Sequence, residues 1–513
     1  MKKIVALIVI VALILSACRD EVVTSQINTE GQETIEATDT TTLIPETSHA
    51  VIISAATTED RGVPVVFQDP YFEAAVRDAL QKPKSEIYSG EIEQLTYINI
   101  YIPFDAINVD LSEMRLLESL EALYITIDTP EEIDLSYISE MNQLTTLEIS
   151  CHQISDLSSI VALTQLEQLS IFAMELTDIS SIGALSNLKQ LKIDANKLTD
   201  ISGIKDLINL TELDISAIKV VDISPISNLT HLQSLFLSTP DLKDISAVSN
   251  LVELNMLSVF AKNLSDISAL TNLTKLEWIN IAEAKIKDIS ALKNLKALKT
   301  LNLGTNQISD IAVLKDLKEM ETLVLSGNQI SDISVLSGLD QLTYLDLGWN
   351  QISDISSLSL LQNLEHLYLI TNDVEDISAL SELKTLRILN ITGNKVSDIS
   401  ALAGLEDLDQ FYAAENGISD ITAISNFEKL TVLELSHNSI SDIHPIANLS
   451  ALTHIFLVDN NISDISPLSG LKKISELHLF ENPLYNSTTP NASHKAELDI
   501  ETEFGAHEVW VKE

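Results

Sequence analysis

Cysteine is scarce in this chain: 513 residues contain two, Cys18 and Cys151. With Cys18 at the end of a targeting segment, no disulfide framework can form, and the fold must be held by packing. Basic residues are also few. Against 75 Asp plus Glu stand 31 Lys plus Arg, a formal charge of −44. That field repels nucleic acid and anionic lipid headgroups, and favours a basic partner or divalent cations. No apolar run reaches the roughly 20 residues needed to span a bilayer as a helix. Neither a phosphate-cradling glycine loop nor a Cys/His metal spacing occurs, so the expectation is a non-enzyme without a cofactor. Yet 45% of the residues are hydrophobic, far more than an acidic disordered chain carries. A large core must lie beneath an acidic surface.

The longest apolar stretch, Ile4 to Leu15, follows Lys2 and Lys3. Its length suits a secretory signal. It ends Leu15-Ser16-Ala17-Cys18, which resembles the lipobox of bacterial lipoproteins. The resemblance implies a signal peptide over 1–17, lipidation of Cys18, and localisation on the extracytoplasmic side of a bacterial cell membrane. Two acyl chains, at about 0.8 kcal/mol per buried CH₂, anchor stably. Residues 18–62 read as a flexible tether, rich in Thr, Ser, Glu and Ala, with no Lys or Arg between Arg19 and Arg61.

Aspartate then recurs at 134, 156, 178 and onward to 464, sixteen positions spaced by 22 without a slip, and Asp110 opens one further unit. Counted from Asp310, apolar residues fall at +1, +4, +7, +10, +13, +15 and +20: Ile311, Leu314, Leu317, Met320, Leu323, Leu325 and Ile330. The spacing of three fits a 3₁₀-like segment, in which residues i and i+3 eclipse. The spacing of two fits a short strand. Each unit is therefore one coil of an α/β repeat solenoid, and stacking supplies the core that one coil lacks. The aspartate precedes the helical piece, where it suits a cap accepting a backbone N–H better than a metal ligand. At +18 stands Asn at 196 and in every coil from 306 to 482. An amide both donates and accepts, so these residues are expected to satisfy the turns. Earlier coils carry His152, Met174, Ile218, Pro240, Lys262 and Ala284 instead, and less regular turns are expected there.

Units such as Gln307-Ile308-Ser309-Asp310-Ile311 and Gln329-Ile330-Ser331-Asp332-Ile333 resemble the 22-residue leucine-rich repeats of the internalin family, over 110–484. The stretch from Phe67 to Leu80 resembles the small helical cap ahead of such arrays, expected over 63–109. A C-terminal cap is expected over 485–513. The resemblance implies a curved array with a concave parallel sheet and a convex helical or 3₁₀ side, used for protein recognition at bacterial surfaces. The lipobox stands where adhesive members carry a C-terminal sorting signal, which suits an envelope role as well as adhesion.

On the sheet, +12, +14 and +16 should point outward, with +17 at the rim. Aromatic residues occupy such positions at Phe172, Phe236, Phe260, Trp278 and beyond. The densest run with histidine is Tyr344, Trp349, His366, Tyr368, Tyr412, His454 and Phe456, taken as the partner-binding residues. Asp194, Asp214, Asp346, Glu415, Glu434 and Glu481 share the surface. His366, His454 and His478 lie on different coils and make no ligand set, and Cys151 is expected to be a half-exposed thiol. The expected function is a monomeric, non-catalytic, surface-exposed scaffold, an adhesin or envelope adaptor. It would bind a protein with basic and apolar features through its concave face. Binding of cell-wall or host glycan, or service as a passive spacer, are the alternatives.

Overall fold

In each coil the three-residue spacing becomes a chain of backbone bonds. Leu314 N–H donates to Ile311 at 2.9 Å, Leu317 to Leu314 at 3.0 Å, and Met320 to Leu317 at 3.2 Å. Every third side chain therefore eclipses the last and faces inward. Ile311 to Ile330, at the seven apolar positions, are 0–2% exposed. Full burial of each such side chain contributes about 1.5–3 kcal/mol, and the neighbouring coils provide the enclosing surface. The computed structural model describes residues 62–107, 109–129, 135–154, 157–483 and 508–509. The expected signal peptide, Cys18, nearly all of the tether and most of the C-terminal cap lie outside the described residues.

The repeated aspartate acts as expected from sequence. Asp310 Oδ1 accepts from Ala312 N–H at 2.8 Å, and Asp332, Asp354 and Asp376 accept from Ser334, Ser356 and Ser378 at 2.8 Å. The bond recurs from Asp178 to Asp464. It satisfies the first N–H of each helical turn, which has no partner within the turn.

One strand per coil builds a parallel sheet in chain order, from β1 (Tyr97–Ile102) to β18 (Glu476–His478). From β3 (Thr146–Cys151) to β18 consecutive strands pair with a register offset equal to the repeat, as in Thr322↔Tyr344 and Tyr344↔His366. The backbone of β19 (Glu508–Val509) pairs with β18. At the other end, α1 (Pro70–Ala79) is capped by Asp69, which accepts from Tyr71 and Phe72 N–H at 2.8 Å. The second Asp69 oxygen accepts from Asp110 N–H at 2.9 Å, tying cap to first repeat. A short helix, α2 (Ser89–Ile92), follows. The region expected as a helical cap also supplies β1, because Tyr97-Ile98-Asn99-Ile100-Tyr101-Ile102 alternates and buries its three isoleucines.

The turns after the strands fall into two kinds. The six strands from β3 (Thr146–Cys151) to β8 (Met256–Phe260) run five or six residues. Their inward alternation continues to +17, where Cys151, Ala173, Ala195, Ala217, Thr239 and Ala261 are buried. From β9 (Trp278–Asn280) to β18 the strands have three residues. The +17 residue takes a positive φ, from Glu283 (56°) to Glu481 (63°), with Gly327 and Gly393 at 68°. That twist turns +18 inward. Asn372 shows the result: its amide donates to Leu347 O at 2.9 Å and Leu369 O at 3.1 Å, and its oxygen accepts from Ile352 N–H at 2.9 Å. Nine asparagines, 306 to 482, repeat this bridge between a coil and the one before it.

Three expectations are corrected here. The early turns are regular, built on a small inward residue in place of Asn. Asn196 belongs to that kind: its amide meets Met174 Sδ at 3.0 Å and takes no part in the ladder. Cys151, at +17, is buried rather than half-exposed, and burial pushes its thiol up to about 11.

The concave sheet face as a candidate interface

The strands place +12 and +14 on the outer face of the sheet, free of the core's demands. On β12 (Tyr344–Asp346) and β13 (His366–Tyr368), Tyr344 is the register partner of His366, and Asp346 of Tyr368. The Tyr344 ring lies 5.4 Å from Tyr368 and 5.7 Å, edge-on, from His366. Both separations suit attractive aromatic pairs. Burial lowers the pKa of His366, Glu365 opposing and Arg387 assisting. Asp346 accepts from Gly348 N–H at 3.0 Å and Ser326 Oγ at 2.7 Å. Burial nonetheless raises its carboxyl above the usual range, the two hydrogen bonds opposing.

A second group lies at the C-terminal end, on β17 (His454–Phe456) and β18. Phe456 packs edge-on to His478 at 4.9 Å, and His478 lies 6.2 Å from Phe480. Glu476 approaches His478 Nε2 at 3.0 Å and His454 Nε2 at 3.9 Å. Glu434, opposite Phe456, is raised by burial against a bond from Ser436 N–H.

The seven residues singled out from sequence therefore do not form one patch. Tyr344, His366 and Tyr368 come together. His454 and Phe456 join His478 and Phe480. Tyr412 stands between the groups, its register partners being Asn390 and Glu434, and its hydroxyl donates to Gln410 Oε1 at 3.0 Å. Trp349 sits at the rim in a positive-φ turn (49°), 39% exposed, outside both ring groups. The ends of the set are far apart in the sheet: Tyr344 is on β12 and Phe456 on β17, five strands on. Two features escaped selection. His478 carries the same +14 signal as Phe456. Phe236 and Trp278, 6.2 Å apart, form a third aromatic group with Met256 and Phe260 nearby on β8.

Along the entry ends of the strands from β13 to β16 (Val432–Glu434) runs an open depression of about 560 Å³, lined by Glu365, Thr385, Arg387, Asp407, Asp409 and Lys429. Its lining mixes three carboxylates with Arg387 and Lys429, and Lys429 is paired to Asp407. Among the described residues, no three His, Cys, Asp or Glu are placed to hold a metal ion.

Residues 274–316, 318–360 and 362–404 match the family described as leucine rich repeats in two copies, and 428–484 match a second leucine rich repeat family. The fold is a leucine-rich-repeat solenoid. Neither matching family is one of enzymes. An internalin from Listeria monocytogenes is similar at 29% identity, over 78% of this chain and 98% of that one, with a TM-score of 0.50. A leucine-rich-repeat protein of Leptospira interrogans is similar in fold at 21% identity, over 85% and 98%, with a TM-score of 0.54. So is the Arabidopsis receptor kinase HAESA, solved with a peptide hormone and a co-receptor, at 22% identity, over 76% and 74%, with a TM-score of 0.57. No curated protein matches the chain.

Proposed function

We propose that this leucine-rich-repeat chain is an internalin-like bacterial surface protein, lipid-anchored through Cys18, whose concave face binds another protein. It acts as an adhesin or envelope adaptor and works as a monomer. The observation that carries the reading is the contact group of Tyr344, His366 and Tyr368. The core does not require these side chains, since Leu345 and Leu367 fill it from the same strands. Aromatic residues clustered on a rigid face are what interface anchors require. Raised carboxyls at Asp346 and Glu434 and a charge of −44 favour a partner with basic and apolar features.

Capture tests it. The chain without 1–17 and with Cys18→Ser is immobilised and offered host-surface and envelope extracts. A protein retained by this bait and lost with Tyr344→Ala/Tyr368→Ala supports the proposal. Equal capture by both baits refutes the site. Retention of purified cell wall alone favours a glycan ligand, and no saturable ligand of any kind favours a spacer. Anchoring is tested by fractionation: Cys18→Ser should release the protein from membranes.

A further inference from the structure

Between two aromatic groups of the concave face lies a strip of small side chains. On β10 (Thr300–Asn302), β11 (Thr322–Val324) and the residues just after them, the outward positions hold Thr300, Asn302, Gly304, Thr322, Val324 and Ser326. The +12 row across four strands reads Trp278, Thr300, Thr322, Tyr344 in direct register. At a strand spacing of about 4.8 Å, the backbones under Trp278 and Tyr344 stand about 14 Å apart. Asn302 and Thr322 point away from the core, yet they are only 4% and 8% exposed. Asn302 Oδ1 accepts from Gly304 N–H at 3.0 Å, which holds the side chain down on the sheet. The strip is the floor of a trough running along the strands, walled by Trp278, with Phe236 behind it, and by Tyr344, with Tyr368 behind it. Two strands of floor are the lateral room that one extended segment occupies.

The charges around the trough are one-sided. At the entry ends of the strands stand Glu277, Glu319 and Glu321, with Lys299 held by Glu277 at 2.8 Å. At the exit ends stands Glu283, and Asp346 lies in the Tyr344 wall. Cations on that side are already engaged: Lys262 over the Phe260 ring at 5.4 Å, and Lys285 on Asn263 Oδ1 at 2.7 Å.

We infer that this trough receives an extended segment of the partner protein. An apolar or aromatic side chain rests on the half-exposed Thr300 and Val324 between the two rings, and Lys or Arg on either side meets Glu321 at one mouth and Glu283 at the other. The inference rests on the protein-binding reading and narrows it to one place and one chemistry. Aromatic walls exclude water from the seated side chain, the condition under which flanking charge pairs and cation–π contacts strengthen.

The probe is a displayed library of random twelve-residue peptides, selected on the soluble Cys18→Ser chain and then synthesised. Trp349→Phe/Trp510→Phe leaves Trp278 as the sole tryptophan, so its emission reports the wall directly. Selected peptides should carry Lys or Arg around an apolar residue and shift Trp278 emission. Val324→Tyr, which fills the floor, should weaken them at least tenfold, and Glu283→Gln/Glu321→Gln about threefold or more. If Val324→Tyr alters the circular dichroism, the charge pair alone decides. Peptides that bind the filled or neutralised variant as tightly as the parent, or leave Trp278 unmoved, overturn the trough. So does a failure to select any peptide. In those cases a protein captured only by an intact Tyr344/Tyr368 face would leave the broader reading standing.

Discussion

Asn372→Ala tests the physical basis of the C-terminal turns. Asn372 is 8% exposed and joins two coils through Ile352 N–H, Leu347 O and Leu369 O, all at 3.1 Å or less. Alanine keeps the backbone and removes all three bonds. A stranded buried N–H costs about 1–3 kcal/mol, and each of two lost donor bonds about 0.5–1.5 kcal/mol, for a total of roughly 2–6 kcal/mol. In a solenoid that loss is felt first by adjoining coils, so amide exchange is the assay of choice. The Ile352 amide should exchange at least about 30-fold faster, since 1.4 kcal/mol is a factor of ten. Asn196→Ala is the control, because that amide contacts only Met174 Sδ at 3.0 Å. It should change stability by less than about 0.5 kcal/mol. Equal effects from the two substitutions, or an unaltered Ile352 amide, would refute the bridging role.

Other outcomes follow from the same geometry. Thr371 holds φ at 50°, costly for a β-branched residue, so Thr371→Gly should raise the urea midpoint by about 1 kcal/mol equivalent. Gly393→Ala, at φ 68° with Thr371 Oγ1 3.1 Å from the new Cβ, should lower it by as much or more. Thr239 buries a hydroxyl without a partner where neighbouring coils have alanine. Thr239→Val keeps the shape and should stabilise by about 1 kcal/mol in urea titration. Cys151, with its thiol raised to about 11, should resist iodoacetamide at pH 7.5 until the protein is unfolded.

Carboxyls dominate the pH response. Burial raises Glu148, Glu212, Asp214, Asp346 and Glu434. Their contribution is full below the unfolded values of about 3.9–4.3 and is lost as pH rises through the folded ones. Asp354, Asp376 and Asp398, lowered by serine N–H bonds, contribute above about 3.9 and lose it as pH falls further. His366, lowered by burial, opposes the gain below about 6.5. The urea midpoint should rise on mild acidification, peak near about pH 4–5, then fall. Asp346→Asn/Glu434→Gln should flatten the rise, and a monotonic fall from pH 7 in the parent would refute the assignment.

Periodicity alone determined the solenoid, because the 22-residue spacing of Asp and the seven apolar positions admits one way to bury every coil. The aspartate's bond and the asparagine ladder from Asn306 onward were legible for the same reason: each is a local backbone need repeated in register. Tertiary structure decided what depends on neighbours. Asn196 carries the ladder's letter, and only the length of its strand makes Ala195 the inward residue and leaves Asn196 outside the ladder. Spacing along the chain likewise placed Tyr344 and Phe456 on one face, but five strands of sheet separate them. The trough was invisible in sequence because its signal is a run of small residues at outward positions, where threonine and glycine announce nothing. It takes form only when stacking sets Trp278 and Tyr344 on either side.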